Sequence, residues 1–247
     1  MDKEDRSTVL EIERIVREGL GTTVTIDGVD YSTTPLHDPR KPEPEPATVE
    51  LHTLQSLVDF IEADRDGAYT ETRGRFVHVE SPTEVRLCTD IFGVKNQRVE
   101  LAHATAIVPS LNLGSWQDPE TFNIMLQSHF EETSGRKTAL QLVGNLQTEA
   151  VQTVADDGVS QQATVRKGIV KVATVEVPNP ITLRPYRTFS EVVSPESPFI
   201  LRLRGGGEGR LPTCALFEAD GGQWRLKAIE AIKAWLVAEL TDTPVCG

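Results

Sequence analysis

Five prolines, Pro35, Pro39, Pro42, Pro44 and Pro46, fall within a span of 12 residues and are interleaved with Glu43 and Glu45. Each proline removes a backbone donor and biases the residue before it away from helix, so neither a helix nor a central strand can run through this stretch. Alternating Pro and Glu favours an extended, solvated conformer that cannot build a core, which makes the segment a semi-rigid linker. The 247-residue chain is therefore expected to divide into an N-terminal arm, residues 1–48, and a single body, residues 49–247.

The arm carries its own pattern. In residues 7–21, STVLEIERIVREGLG, Thr8 and Glu11 fit a capping box, while Ile12, Ile15 and Val16 share one apolar stripe at helical spacing. A helix of about three turns is marginal alone, so this stripe is expected to dock on something. TTVTIDGVDYS then reads as a small hairpin turning at Asp27-Gly28.

Along the body the spacing predicts a helix near 53–63 and an antiparallel meander over 75–80, 84–90 and 97–108. A helix capped by Asp118 follows, then a second one through TALQLVGNL. Strands are expected again at 149–167, 169–177, 181–186, 198–204 and 211–219. The chain closes on a helix over 223–240, where Trp224, Ala228, Ala231, Ile232, Trp235, Leu236 and Leu240 make a broad apolar face. Helices bracketing mostly adjacent strands indicate an α+β fold with a largely antiparallel sheet body.

The formal net charge is −12, and it is unevenly spread. Residues 1–80 carry −9 and residues 81–135 carry −4, whereas residues 136–210 carry +3 and residues 211–247 carry −2. A negative whole-molecule field repels phosphate backbones at long range, which disfavours indiscriminate nucleic-acid binding. Within the positive stretch, Arg184, Arg187, Arg202, Arg204 and Arg210 are the candidate nucleic-acid contacts. No run reaches the 18 or so apolar residues of a membrane span, and the charged N-terminus does not read as a secretory signal. Both point to a cytoplasmic protein without a membrane partner.

The sequence offers no recognisable catalytic, cofactor or metal motif, and the expectation is a non-enzyme without a cofactor. Gly135-Arg136-Lys137-Thr138 lacks the glycine that a phosphate-binding loop needs before its lysine. The glycines at 205, 206, 207 and 209 join strand to strand, away from the helix N-terminus that a dinucleotide fingerprint requires. Asp156-Asp157-Gly158 is first a turn. His37, His52, His78, His103 and His129 contain no i, i+4 zinc pair, although His78 and His103 are expected to approach each other across the meander. Three cysteines fit no disulfide framework: Cys88 and Cys214 are expected to be buried, Cys246 to be an exposed tail residue.

Several segments of the body resemble a known family. Asp156-Asp157-Gly158-Val159-Ser160-Gln161, Pro185-Tyr186-Arg187-Thr188-Phe189, Pro195-Glu196-Ser197-Pro198-Phe199 and Leu216-Phe217-Glu218-Ala219-Asp220-Gly221-Gly222 resemble the YfdQ-like proteins of phages and prophages, whose function is unknown. The resemblance covers roughly residues 50–240. It implies a phage origin and the host bacterial cytoplasm, and transfers no catalytic residue. Read physically, these motifs are architectural: Tyr186 and Phe189 are expected as apolar anchors, Asp220 as a cap for the last helix, and Arg184, Arg187 and Glu191 as partners of one another or of a second chain. An amphipathic tip on a long arm suggests self-association into a homo-oligomer, as a ring or a closed shell. Ile12, Ile15, Val16, Arg184, Arg187 and Trp235 are the candidate contacts, and a nucleic-acid accessory factor is the alternative.

Overall fold

The computed structural model describes residues 23–26, 29–32, 45–70, 74–92, 96–148, 150–156, 161–167, 170–205 and 212–247. By its internal contacts the chain forms two units, Met1–Glu45 and Pro46–Gly247. In the first, β1 (Thr23–Ile26) and β2 (Val29–Ser32) pair antiparallel, with Thr23 opposite Ser32 and Ile26 opposite Val29. This is the expected hairpin. The tip helix with Ile12, Ile15 and Val16, the Asp27-Gly28 turn and most of the Pro/Glu segment lie outside the described residues.

The second unit opens with β3 (Val49–Leu51), α1 (Leu54–Glu62) and a single helical turn, α2 (Gly67–Thr70), then runs through β4 (Arg75–Ser81), β5 (Glu84–Thr89) and β6 (Glu100–Thr105). Two helices follow, α3 (Pro119–His129) and α4 (Ser134–Thr148). Then come β7 (Ala150–Asp156), β8 (Gln161–Lys167), β9 (Val170–Val177), β10 (Ile181–Leu183), β11 (Ser197–Arg204) and β12 (Thr213–Glu218). The chain ends in α5 (Gln223–Glu239) and β13 (Val245–Cys246). The fold is α+β, with three sheets among the described residues of this unit, in the orders β13-β4-β5-β6-β3, β7-β8-β9 and β10-β11-β12.

The five-stranded sheet is the meander β4-β5-β6 extended by a parallel strand on each side, β3 along β6 and β13 along β4. Neither parallel strand is legible as such, because each is only two or three residues long. Period-two alternation turns Val77, Val79, Val85, Leu87, Ala102 and Ala104 to one face, where all are at most 2% exposed. Against that face pack Leu54, Leu57, Val58 and Ile61 of α1 and Ile232 and Leu236 of α5. Ala102 and Ala104 supply little volume, which lets α1 approach β6 closely. The start of α1 is held twice. Thr53 Oγ1 accepts from Ser56 N at 3.0 Å, and the Glu191 carboxylate, 136 residues away in sequence, accepts from Gln55 N at 3.0 Å.

A second core lies between α3, α4 and the β10-β11-β12 sheet. Asp118 accepts from the backbone N–H groups of Glu120 and Thr121, and Pro119 follows it at the first helical position. The helix so started delivers Phe122, Met125, Leu126 and Phe130 to Phe199, Leu201, Leu203, Cys214 and Leu216. Phe130 meets Phe199 edge-on, with ring centroids 6.0 Å apart. A Cβ at Gly135 would stand 2.0 Å from the Thr182 carbonyl oxygen, so only glycine lets α4 begin this close to β10.

Residues 184–196 tie the two cores together. Phe189 is buried in the first core, and Thr188 Oγ1 donates to the Pro82 carbonyl at 2.7 Å. Four local expectations need correction. The 181–186 run stops as a strand at Leu183, because proline has no donor for a ladder, and Pro185 makes only an isolated bridge to Phe130. Tyr186 is 42% exposed, so it is no anchor, whereas Phe189 at 2% is one. Cys88 is half-buried, on the polar side of its sheet. Cys246, although exposed, belongs to β13, and its thiol donates to the Val77 carbonyl at 3.5 Å. Asp220 does cap α5, from three residues before its first residue: its carboxylate accepts from Gly222 N and Trp224 N at 3.0 Å each.

Candidate functional site

The arginines singled out in the sequence do not converge. Arg184 donates to Glu131 at 3.1 Å and to Glu196 at 2.8 Å, and these carboxylates hold its guanidinium above the usual range. Arg187 corrects the expectation of a surface contact. Its side chain is 5% exposed, with hydrogen bonds to Glu218 at 3.0 Å, Ser197 Oγ at 2.6 Å and the Pro195 carbonyl at 3.3 Å. The guanidinium lies 3.7 Å from the centroid of a Trp224 ring. Burial pushes Arg187 down to about 10, while Glu218 and Asp220 pull it up. It is a structural cation, available neither to a nucleic acid nor to a second copy. Glu191 likewise serves α1 and pairs with neither arginine.

Arg202 and Arg204 lie on β11, on the face opposite Leu201 and Leu203. Arg204 is exposed and stacks over the Trp116 ring at 4.1 Å. Arg136 donates to the Phe130 carbonyl at 2.6 Å, and Lys137 pairs with Glu132 at 3.1 Å. Arg210 lies outside the described residues. Trp235 is half-buried against the α1 and α5 core, which uses part of its surface within the chain.

His78 and His103 belong to a row that the spacing did not reveal. Register places Cys246, His78, Arg86, His103 and Glu50 directly beside one another, one from each strand of the five-stranded sheet, on its polar face. His78 and His103 therefore do not meet: β5 runs between them, which separates their backbones by two strand spacings, roughly 9–10 Å. Arg86 fills the gap, paired to Glu80 and, at 2.8 Å, to Glu100. His103 Nδ1 stands 3.8 Å from Glu50 and 3.9 Å from Glu100. Arg86 is thus paired within this face of the sheet. Among the described residues, no group of three or more His, Cys, Asp or Glu side chains is placed to hold a metal ion. Cys214 is fully buried, and desolvation pushes its thiol up to about 12.

An open cleft of about 830 Å³ lies at the end of the five-stranded sheet, lined by Asp64, Thr70, Arg75, Asp90, Asp242 and Pro244. Arg75 donates to Asp64 at 2.9 Å across it. No sequence motif marked this cleft, because its residues come from four separate stretches of chain.

The edges of the sheets differ in how they are finished. β12 has its free side covered by 114–117, with Gln117 and Cys214 exchanging backbone hydrogen bonds at 2.8 and 2.9 Å and Gly114 N donating to the Leu216 carbonyl. The chain just after β10 is closed off by Glu131 N donating to the Arg184 carbonyl and by Tyr186 N donating to the His129 carbonyl. By contrast β7 and β9, seven and eight residues long, each have β8 as their one strand partner among the described residues. An edge strand presents a row of unpaired backbone groups, a template for another chain. Neither a protein-family model, nor a curated protein, nor a solved structure matches this chain. Among the described residues no helix is long and apolar enough to cross a membrane.

Proposed function

We propose that this is a phage- or prophage-encoded, YfdQ-like protein that works in the host bacterial cytoplasm without chemistry of its own, by assembling with copies of itself. The observation that supports this reading is the pair of long strands, β7 and β9, each with β8 as its one strand partner among the described residues. The other sheets of the body are blunted by short edge strands or by covering loops, which is how proteins that stay single manage their edges. The arm, residues 1–48, is proposed as a second means of contact, on the strength of the linker composition and apolar stripe of its sequence. A two-fold edge contact alone closes a dimer, and an arm contact added to it extends the assembly toward a ring or shell.

The nucleic-acid alternative has less behind it. Two of its five candidate residues, Arg184 and Arg187, are engaged by Glu131, Glu196 and Glu218. Removal of residues 1–48 tests the reading: the truncated body is expected to stay folded by circular dichroism yet sediment as a smaller species than the full chain. An unchanged sedimentation profile would remove the arm from the assembly.

A further inference from the structure

We infer that two copies of this chain pair edge to edge through β9, antiparallel, about a two-fold axis at Thr174. The inference rests on the self-association proposed above and names its contact. β9 reads Val170-Lys171-Val172-Ala173-Thr174-Val175-Glu176-Val177. Against β8, Val177, Glu176, Val175, Thr174 and Ala173 stand opposite Gln161, Gln162, Ala163, Thr164 and Val165 in turn. Lys171 then stands opposite Arg166, and Val172 is passed over. This is a bulge, one extra residue on β9.

The bulge changes the register. Against β8 the ladder passes over Val172, so every pairing from Lys171 onward is shifted by one position. The same shift is taken in the pair of copies. Directly opposed residues of an antiparallel pair share a face. With the axis at Thr174, each Thr174 stands opposite Thr174 of the second copy and Ala173 opposite Val175. Lys171 then stands opposite Glu176, and Val170 opposite Val177. Both Lys171–Glu176 pairs are attractive, and β-branched or small residues occupy the other positions. Without the bulge the same axis would bring Lys171 opposite Val177. A lysine on an edge strand ordinarily discourages pairing with a like strand. This strand carries the matching glutamate at the one position where a two-fold axis makes them meet.

The full chain bearing Thr174→Cys, in a Cys246→Ser background, tests the contact. Opposed Cα atoms of an antiparallel pair are about 4.5–5.5 Å apart, within disulfide reach. Mild oxidation is expected to yield a covalent dimer for Thr174→Cys. It should yield none for Thr164→Cys, which sits in the same cross-strand row on the inner strand β8. Lys171→Glu sets like charges opposite each other twice and is expected to weaken assembly by roughly tenfold or more, with Lys171→Glu/Glu176→Lys restoring it. A protein that assembles but neither cross-links at Thr174 nor responds to Lys171→Glu would overturn the β9 contact and leave self-association standing. A chain that is single at all concentrations would overturn both.

Discussion

Arg187 and Glu218 are 31 residues apart in sequence and 3.0 Å apart in space. Arg187 is buried while Glu218 is 28% exposed, so Arg187→Ala, which removes the ion pair, the Ser197 hydrogen bond and the stacking on Trp224, is expected to cost about 3 kcal/mol of unfolding free energy. In a urea melt the doubly neutral Arg187→Met/Glu218→Gln should cost clearly less, because no charge is then left without its partner. Equal losses would mean that the stacking on Trp224, rather than the charge, holds Arg187 in place. The sequence shows Arg187 only as one cation in a positive stretch, since burial is set by Trp224 and Glu218 arriving from elsewhere in the chain. The same limit applies to His78 and His103. They do share one face, but the strand order that inserts Arg86 between them is a long-range fact.

At the scale of elements, local signals were read well where they were complete. Asp118-Pro119-Glu120 opens α3 as capping chemistry requires, and the Thr121 hydroxyl and backbone N–H hold the Asp118 carboxyl below its ordinary range. A carboxylate with a lowered folded-state pKa stabilises above its unfolded value and loses that stabilisation as pH falls through the folded one. Asp118→Ala is accordingly expected to cost about 1 kcal/mol near pH 7. Its deficit relative to the parent should shrink as pH falls below about 4, near the ordinary Asp value. A deficit that stays constant from pH 7 to pH 2 would mean that the cap acts without its charge. β13 has two residues and no period to detect, and the three residues Val49–Leu51 mark the opening of the body without showing that they pair with β6. Both strands exist because β4 and β6 offer them partners. The bulge in β9 is equally invisible in sequence, because alternation over VKVATVEV reads as a regular strand until its register against β8 is known.

At the scale of the whole molecule, the α+β class and the meander followed from alternation and helical spacing. The partition of the body into two cores did not, because it depends on residues 184–196 reaching both. The charge of −12 looks different once residues are placed. The positive stretch of 136–210 is partly neutralised in place by Glu131, Glu132, Glu196 and Glu218. Among the described residues, what stands out is therefore less a charged surface than two long strands, β7 and β9, with one strand partner each. The most direct measurement is the mass of the full chain in solution by light scattering, at tens of micromolar and physiological salt. A mass at a whole multiple of 27.2 kDa, two or more, is expected; a mass of 27.2 kDa across the concentration range would contradict self-association.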